Sequence, residues 1–297
     1  SFSVSETTDS GIKISTSFSI NDEGANDSGN PAGLTLTFTD GSALDLIEAG
    51  NSIGTYIASV PSASGEQGIS GSTANSAPTG ITFANTSDNV GFEWKSAADF
   101  MGVEGLKGGV SAAFGDDGDG SSSSTAETSW SVGLSYVSTA GDTTVTIGGG
   151  IVGADDSNAV TANDKASQSA VSATAVTGDL TVGIGWGSGS MIKTTTTVGE
   201  NVEVDSAEIM TAGAKYVSGD ITFAVGWKDG DASDIATFGS NGTNTDSFTS
   251  VGASVDYVVA PGVTATLGYS TQDSQDENTS QAANSGSSWY VGANITF

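Results

Sequence analysis

The sequence predicts an all-β protein whose antiparallel strands form an up-and-down barrel that crosses a membrane. Three observations predict this fold. Apolar residues alternate with small or polar ones along many short segments, short turns alternate with long polar connections, and a turn-centred phrase recurs at 136–148, 176–185, 216–226 and 257–268. Alternation with period two is typical of strands. The alternation of short turns with long loops is typical of membrane-spanning barrels.

The alternating segments number about fifteen, and most have the length that a tilted strand needs to cross a bilayer. Gly, Ser, Thr, Ala and Val far outnumber the helix formers, which also favours β structure. We place strands near 1–8, 11–20, 33–39, 42–49, 89–97, 105–114, 129–138, 142–152, 169–177, 179–188, 206–217, 220–229, 248–258, 262–272 and 287–297.

The connections fall into two classes. The short ones carry the Asp and Gly residues that are typical of hairpin turns, at 8–11, 39–42, 178–179 and 218–220. The long ones run near 21–32, 50–88, 115–128, 153–168, 189–205, 230–247 and 273–286. We therefore interpret residues 1–297 as one β-barrel domain.

Each predicted strand has one apolar face. Trp130, Val132, Leu134 and Tyr136, for example, alternate with small residues. In a water-soluble sandwich such a face packs inward. Here the opposite face carries Ser, Thr, Gly and isolated lysines, which suit a water-filled lumen, and Trp and Tyr recur near the strand ends, as at a membrane interface. The apolar face is therefore predicted to contact lipid.

Composition argues against an enzyme and against a nucleic-acid partner. Cysteine, histidine and arginine are absent, so a thiol nucleophile, the usual general base and the bidentate phosphate clamp are missing. The net charge of −28 makes nucleic acid a poor partner. A secreted structural β protein or adhesin remains open on composition, but the strand lengths and the aromatic strand ends favour the barrel.

Two segments carry a resemblance to a known family. Residues 5–11 (SETTDSG) would join the first two strands, and residues 290–297 (YVGANITF) end the chain on an aromatic strand. With these segments the chain resembles the sixteen-stranded general porins of alphaproteobacterial outer membranes. The resemblance implies a homotrimer in the outer-membrane bilayer and an assembly signal at Phe297. It also implies that one strand precedes Ser1 in the native protein.

The resemblance also implies where the channel is narrowest. The loop at 50–88 would fold into the barrel as a constriction loop, with charges of opposite sign on the loop and on the wall. Strand parity places Lys13, Lys95, Lys107, Lys215 and Lys228 on the polar face. The constriction residues that we predict are Lys13, Lys95, Lys107, Asp45, Glu48, Glu66 and Asp88.

The expected function is passive diffusion of small hydrophilic solutes and ions through a water-filled pore. The long connections other than 50–88 hold more than half of the 35 acids, which predicts mild cation selectivity. A solute-specific porin is the alternative among channels. No cofactor is expected, although Asp116, Asp117 and Asp119 form an oxygen-rich cluster that could bind calcium.

Overall fold

The computed structural model describes residues 2–18, 33–46, 52–63, 90–114, 128–156, 164–191, 204–233, 245–275 and 284–296. Within these ranges, fifteen strands form one sheet in which each strand pairs with the next strand in the chain, from β1 to β15. Every pairing is antiparallel. This confirms the predicted all-β, up-and-down architecture and the predicted strand number. The additional strand implied by the resemblance stays a prediction.

The strands in the first part of the sheet are β1 (Phe2–Thr7), β2 (Lys13–Phe18), β3 (Leu34–Thr37), β4 (Ala43–Leu46), β5 (Val90–Lys95), β6 (Leu106–Phe114) and β7 (Thr128–Ala140). The others are β8 (Thr143–Asp156), β9 (Asp164–Thr177), β10 (Leu180–Met191), β11 (Val204–Ser218), β12 (Ile221–Ser233), β13 (Thr245–Ala260), β14 (Val263–Gln275) and β15 (Asn284–Ile295). A short helix, α1 (Ser52–Tyr56), and a 3₁₀ turn, Phe100–Gly102, complete the described elements. No helix among them combines the length and apolar character needed to cross a bilayer.

All short connections lie at one end of the sheet, here called the short-turn end. Gly178 and Gly219 adopt φ of 54° and 59°, values that residues with a Cβ atom rarely tolerate, so glycine is required for these two turns. In the turn after β3, the carboxylate of Asp40 accepts hydrogen bonds from the side chain and the backbone N–H of Ser42. These two bonds hold the pKa of Asp40 below its ordinary value.

The strands of the second half run further than the alternation predicts. β13 has 16 residues, Thr245–Ala260, where the pattern indicates 248–258. β9 begins at Asp164, inside the predicted connection 153–168. Backbone pairing can continue beyond the apolar zone because both faces are then solvated and no apolar side chain is needed. The alternation of apolar side chains along a strand therefore ends before the backbone hydrogen bonds of that strand end.

The two faces of the sheet have opposite character. Large apolar side chains on one face are exposed, such as Ile184 at 64% and Val291 at 82%. On the other face small polar side chains are buried, such as Ser131 and Ser172. Residues 52–63 cross this second face, so we call it the inner face and its opposite the outer face. The prediction that the apolar face points outward is confirmed.

Aromatic side chains of the outer face lie near both limits of the apolar zone of the sheet. Tyr216 and Tyr257 lie near the short-turn end, whereas Trp186 and Trp227 lie near the middle of β10 and β12, where the alternation of apolar residues ends. The rings of Tyr269 and Trp289 are 4.6 Å apart between centroids. This placement is typical of side chains at a membrane interface.

Candidate functional site

Residues 52–63, here called the inner segment, form the part of the predicted loop 50–88 that the structure describes. The segment begins with α1 and continues without regular secondary structure to Ala63. It passes from β6 to β12, a width of six strand spacings or about 29 Å. One five-residue helix followed by seven extended residues covers about the same distance. The segment is thus just long enough to cross seven strands of the inner face.

Glycines of the inner face make room for the segment. A Cβ atom at Gly133 would overlap the backbone carbonyl of Ser52, one at Gly148 would overlap that of Tyr56, and one at Gly213 would overlap that of Pro61. Near the end of the segment, a Cβ at Gly226 would approach the Cα of Ser62 to 3.1 Å. The wall can therefore be approached this closely because it lacks side chains along the path of the segment.

Glu93 in β5 binds the beginning of the segment. Its side chain is 2% exposed, and its Oε1 accepts hydrogen bonds from the hydroxyls of Ser52 and Thr55, both at 3.1 Å. Its Oε2 lies 3.4 Å from Nζ of Lys95 on the same strand. Both oxygens of this buried carboxylate are therefore occupied, as a buried charge requires.

Two serines of neighbouring strands hold the first backbone amide of the segment. The N–H of Ser52 donates to Oγ of Ser131 at 2.8 Å, with Oγ of Ser111 at 3.3 Å, and the two hydroxyls are 2.6 Å apart. Glu93, Ser111 and Ser131 are direct cross-strand partners on β5, β6 and β7. A single row of inner-face side chains thus anchors the start of the segment.

Tyr56 and Ile53 fix α1 against the wall. The hydroxyl of Tyr56 donates to the backbone carbonyl of Gly108 at 2.8 Å. Burial, together with the charge of Glu93, raises the pKa of Tyr56, so the phenol stays protonated and can donate. Ile53 is fully buried and packs in a cluster with Val152 and Ala170. Further along, Oγ of Ser172 donates to the carbonyl of Ala58 at 2.7 Å.

The structure brings two of the predicted constriction residues together. Nζ of Lys95 lies 2.7 Å from Oδ2 of Asp45, and the hydroxyl of Thr35 donates to Oδ1 of Asp45 at 2.6 Å. Lys95 therefore lies between the carboxylates of Asp45 and Glu93, both on the wall. Sequence reasoning did not single out Glu93. The available signal was its position two residues before Lys95, which places both on the same face of a strand.

The other predicted residues stand apart from this cluster. Lys13 and Lys107 are exposed, paired across the sheet with Thr37 and Ser135. Of the predicted constriction residues in the described ranges, Lys95 and Asp45 form an ion pair with each other. The remaining predictions fall on residues outside the described ranges and stay predictions: Glu48, Glu66, Asp88, Phe297 and the calcium cluster Asp116, Asp117 and Asp119. In the described part of the chain, no group of three or more acidic side chains could hold a metal ion.

The inner segment packs across the inner face of the sheet, which forms the wall of the candidate site. The outer face is apolar and exposed, whereas the inner face carries hydroxyls, glycines, lysines and carboxylates, with Val152 and Ala170 packed against Ile53 of the segment. A sheet with this polarity can enclose water and stand in lipid. The inner segment then occupies part of the enclosed space.

Comparison with known proteins agrees with this arrangement. The family model described as Gram-negative porin matches residues 1–278. A search of curated proteins finds no match to the chain.

Three solved structures share the fold at low sequence identity. OmpF of Salmonella typhi, in complex with daunomycin, has a TM-score of 0.62 at 16% identity, over 98% of this chain and 88% of that chain. OmpT of Vibrio cholerae in its trimer form has a TM-score of 0.52 at 14% identity, over 99% and 95%. An anion-selective porin from Comamonas acidovorans has a TM-score of 0.50 at 12% identity, over 99% and 87%.

Proposed function

This chain belongs to the Gram-negative porin family, and we propose that it is a general porin that lets small hydrophilic solutes and ions diffuse through its lumen. As a member of this family it is an outer-membrane β-barrel for passive diffusion, and its family is one of channels rather than enzymes. Membership also sets aside the secreted structural β protein. The proposal concerns the general type, the solutes and the ionic preference.

The observation that carries the proposal is the inner segment. Residues 52–63 lie against a hydroxyl-rich inner wall, where Glu93 and Ser131 accept hydrogen bonds from the segment and Ser172 donates one to it. A fixed segment inside a polar lumen narrows the channel without closing it, which favours a size limit set by shape.

A solute-specific porin is the weaker candidate. Specific binding of solutes needs aromatic or densely charged surfaces that face the lumen. Tyr56 is buried against the wall, and the ring of Tyr290 covers Gly268 on the neighbouring strand. Neither tyrosine of the described inner face therefore supports a row of aromatic rings for a bound solute.

We infer mild cation selectivity from the distribution of charge. The chain carries a net charge of −28, and more than half of its acids lie in the long connections other than 50–88 that the sequence predicts. Lys95 with Asp45 and Glu93 leaves a net charge of −1 at the start of the inner segment. The lysines Lys13, Lys107, Lys215 and Lys228 oppose this preference, so the selectivity should be mild. Reversal potentials under a salt gradient that indicate anion preference would contradict it.

The proposed assembly is a homotrimer in the lipid bilayer, of the type found in alphaproteobacterial general porins. One solved structure of similar fold, OmpT of Vibrio cholerae, is described as a trimer. Calcium at Asp116, Asp117 and Asp119 is a further proposal from the sequence. Addition of a chelator should lower the unfolding temperature if calcium bridges the loops, and an unchanged temperature would contradict that role.

Site-directed labelling tests whether the inner segment lines the channel. The chain lacks cysteine, so S62C would introduce a single thiol at an exposed position of the segment. Modification with a negatively charged methanethiosulfonate should lower the single-channel conductance in a planar bilayer. S138C, on the outer face near the short-turn end, is the control and should conduct equally before and after labelling. Complete labelling of S62C without any change in conductance would refute the assignment.

A further inference from the structure

We propose that Glu93 is the residue that positions the start of the inner segment and thereby fixes the open width of the channel. The inference rests on the proposed porin function. It concerns a side chain on the wall, in β5, that does not belong to the segment itself. Glu93 acts as a positioning residue, since its effect on permeation passes through the segment that it holds.

The two oxygens of the Glu93 carboxylate contact different groups. Oε1 accepts hydrogen bonds from the hydroxyls of Ser52 and Thr55 in α1, each at 3.1 Å. Oε2 faces the ammonium group of Lys95 at 3.4 Å. Because one oxygen receives two donors from α1, the carboxylate fixes both the position and the rotation of this single helical turn.

Charge makes this contact stronger than the serine contacts beside it. Hydrogen bonds to an ionised carboxylate are stronger than those between neutral groups. The carboxylate is also only 2% exposed, so its contacts with Ser52 and Thr55 are shielded from bulk water. Lys95 supplies the compensating charge, and Asp45 holds Lys95 from its other side at 2.7 Å.

Asp45 provides a matched control. It is the direct cross-strand partner of Glu93, on β4, and it binds the same lysine. It accepts hydrogen bonds from Thr35 and Lys95, both on the wall, whereas Glu93 accepts a hydrogen bond from Ser52 of the segment. Variants of the two acids therefore change the charge of the wall equally but differ in their effect on the segment.

The test is single-channel recording of the full-length protein in planar bilayers. E93D keeps the charge but shortens the side chain by one methylene, so it should lose the contact with Ser52 and Thr55. We expect its open current to fluctuate between levels, with the wild-type reversal potential. E93A should fluctuate at least as much. E93Q keeps an acceptor in place and should fluctuate less than E93D, with a shifted reversal potential.

D45N should shift the reversal potential as E93Q does, with a steady open current. Steady currents in both E93D and E93A would overturn the proposal, as would fluctuation of D45N equal to that of E93D. Heat-dependent migration on a denaturing gel shows which variants are folded. If E93A does not fold, S52A removes one donor from the segment side and should also fluctuate. A wild-type protein that forms no channel would refute the proposed function instead.

Discussion

The two ends of the inner segment are held by different means. The first end, Ser52–Tyr56, is held by hydrogen bonds that it donates to the side chains of Glu93 and Ser131 and, from the Tyr56 hydroxyl, to the backbone of the wall. The second end, from Val60 to Ala63, lies against wall positions that have no side chain, such as Gly183 and Gly213. The first end therefore depends on polar groups in addition to the space left by Gly133 and Gly148, whereas the second end depends on the space left by the wall glycines.

This difference determines which substitutions each end should tolerate. Removal of a polar atom should disturb the first end, where buried donors and acceptors would lose their partners. Addition of an atom should disturb the second end, where the backbone of the segment already fills the available space. The following substitutions test that contrast in order of decreasing effect.

The largest effect is expected at Gly213 in β11. In G213V the new side chain would occupy the position of the Pro61 carbonyl, so the second end of the segment must leave the wall. Overpacking of this kind costs about 3 kcal/mol at its upper range. Urea-induced unfolding in lipid vesicles should show the loss, and the single-channel conductance should fall because the segment moves into the lumen.

Gly292 is the matched control for this prediction. It lies on the inner face of β15, and a Cβ atom there would have no described heavy atom within 4 Å. Valine favours strands, and replacing glycine reduces the freedom of the unfolded chain, so G292V should be neutral or stabilise by about 0.5–1 kcal/mol. Equal losses in G213V and G292V would show that the segment does not depend on the glycines.

A smaller effect is expected from S131A at the first end. Oγ of Ser131 accepts the N–H of Ser52 and is 1% exposed. Its removal should cost about 2 kcal/mol, because the buried N–H keeps only the longer contact to Ser111. The free energy of unfolding measures this loss.

Ser129 offers a control on the same strand and the same face. Its side chain is 3% exposed, but its Oγ has no hydrogen-bond partner among the described residues. S129A should therefore leave the free energy of unfolding unchanged or raise it slightly. A loss in S129A as large as that in S131A would mean that burial of the serines, and not their contact with the segment, matters.

The smallest effect is expected from Y56F. The carbonyl of Gly108 would lose the phenol donor but would keep the hydrogen bond from the N–H of Ser96 at 2.8 Å. We expect a loss of about 0.5–1 kcal/mol with an unchanged mean conductance. A loss of conductance in Y56F comparable to that in G213V would contradict the division into two ends.

Much of the fold could be predicted from local patterns. Alternation placed the fifteen strands because the side chains of a strand point to opposite faces in turn. The turn residues Gly41, Gly178 and Gly219 could be recognised because their left-handed conformation favours glycine. Strand ends such as Asp156 and Asp164 could not be recognised from the sequence, because backbone pairing continues there without an apolar side chain.

The candidate site was predictable only in part. Parity placed Lys95 on the inner face, but its pairing with Asp45 joins residues 50 positions apart in the chain. Glu93 was missed because its partners, Ser52 and Thr55, lie on a connection with no alternating pattern. The role of Gly148 and Gly213 could not be predicted either, because a glycine within a strand pattern does not indicate that another segment of the chain packs on it.

The sequence by itself determined the number of strands, the turns between them and the face that meets lipid. Each of these follows from neighbours within a few residues, through backbone geometry and the transfer of apolar side chains out of water. Only the tertiary structure decided where the inner segment lies and which residues hold it. Those contacts join the inner segment to strand residues that are 41, 79 and 114 positions distant in the chain, and only the packing of the folded sheet brings them within hydrogen-bond range.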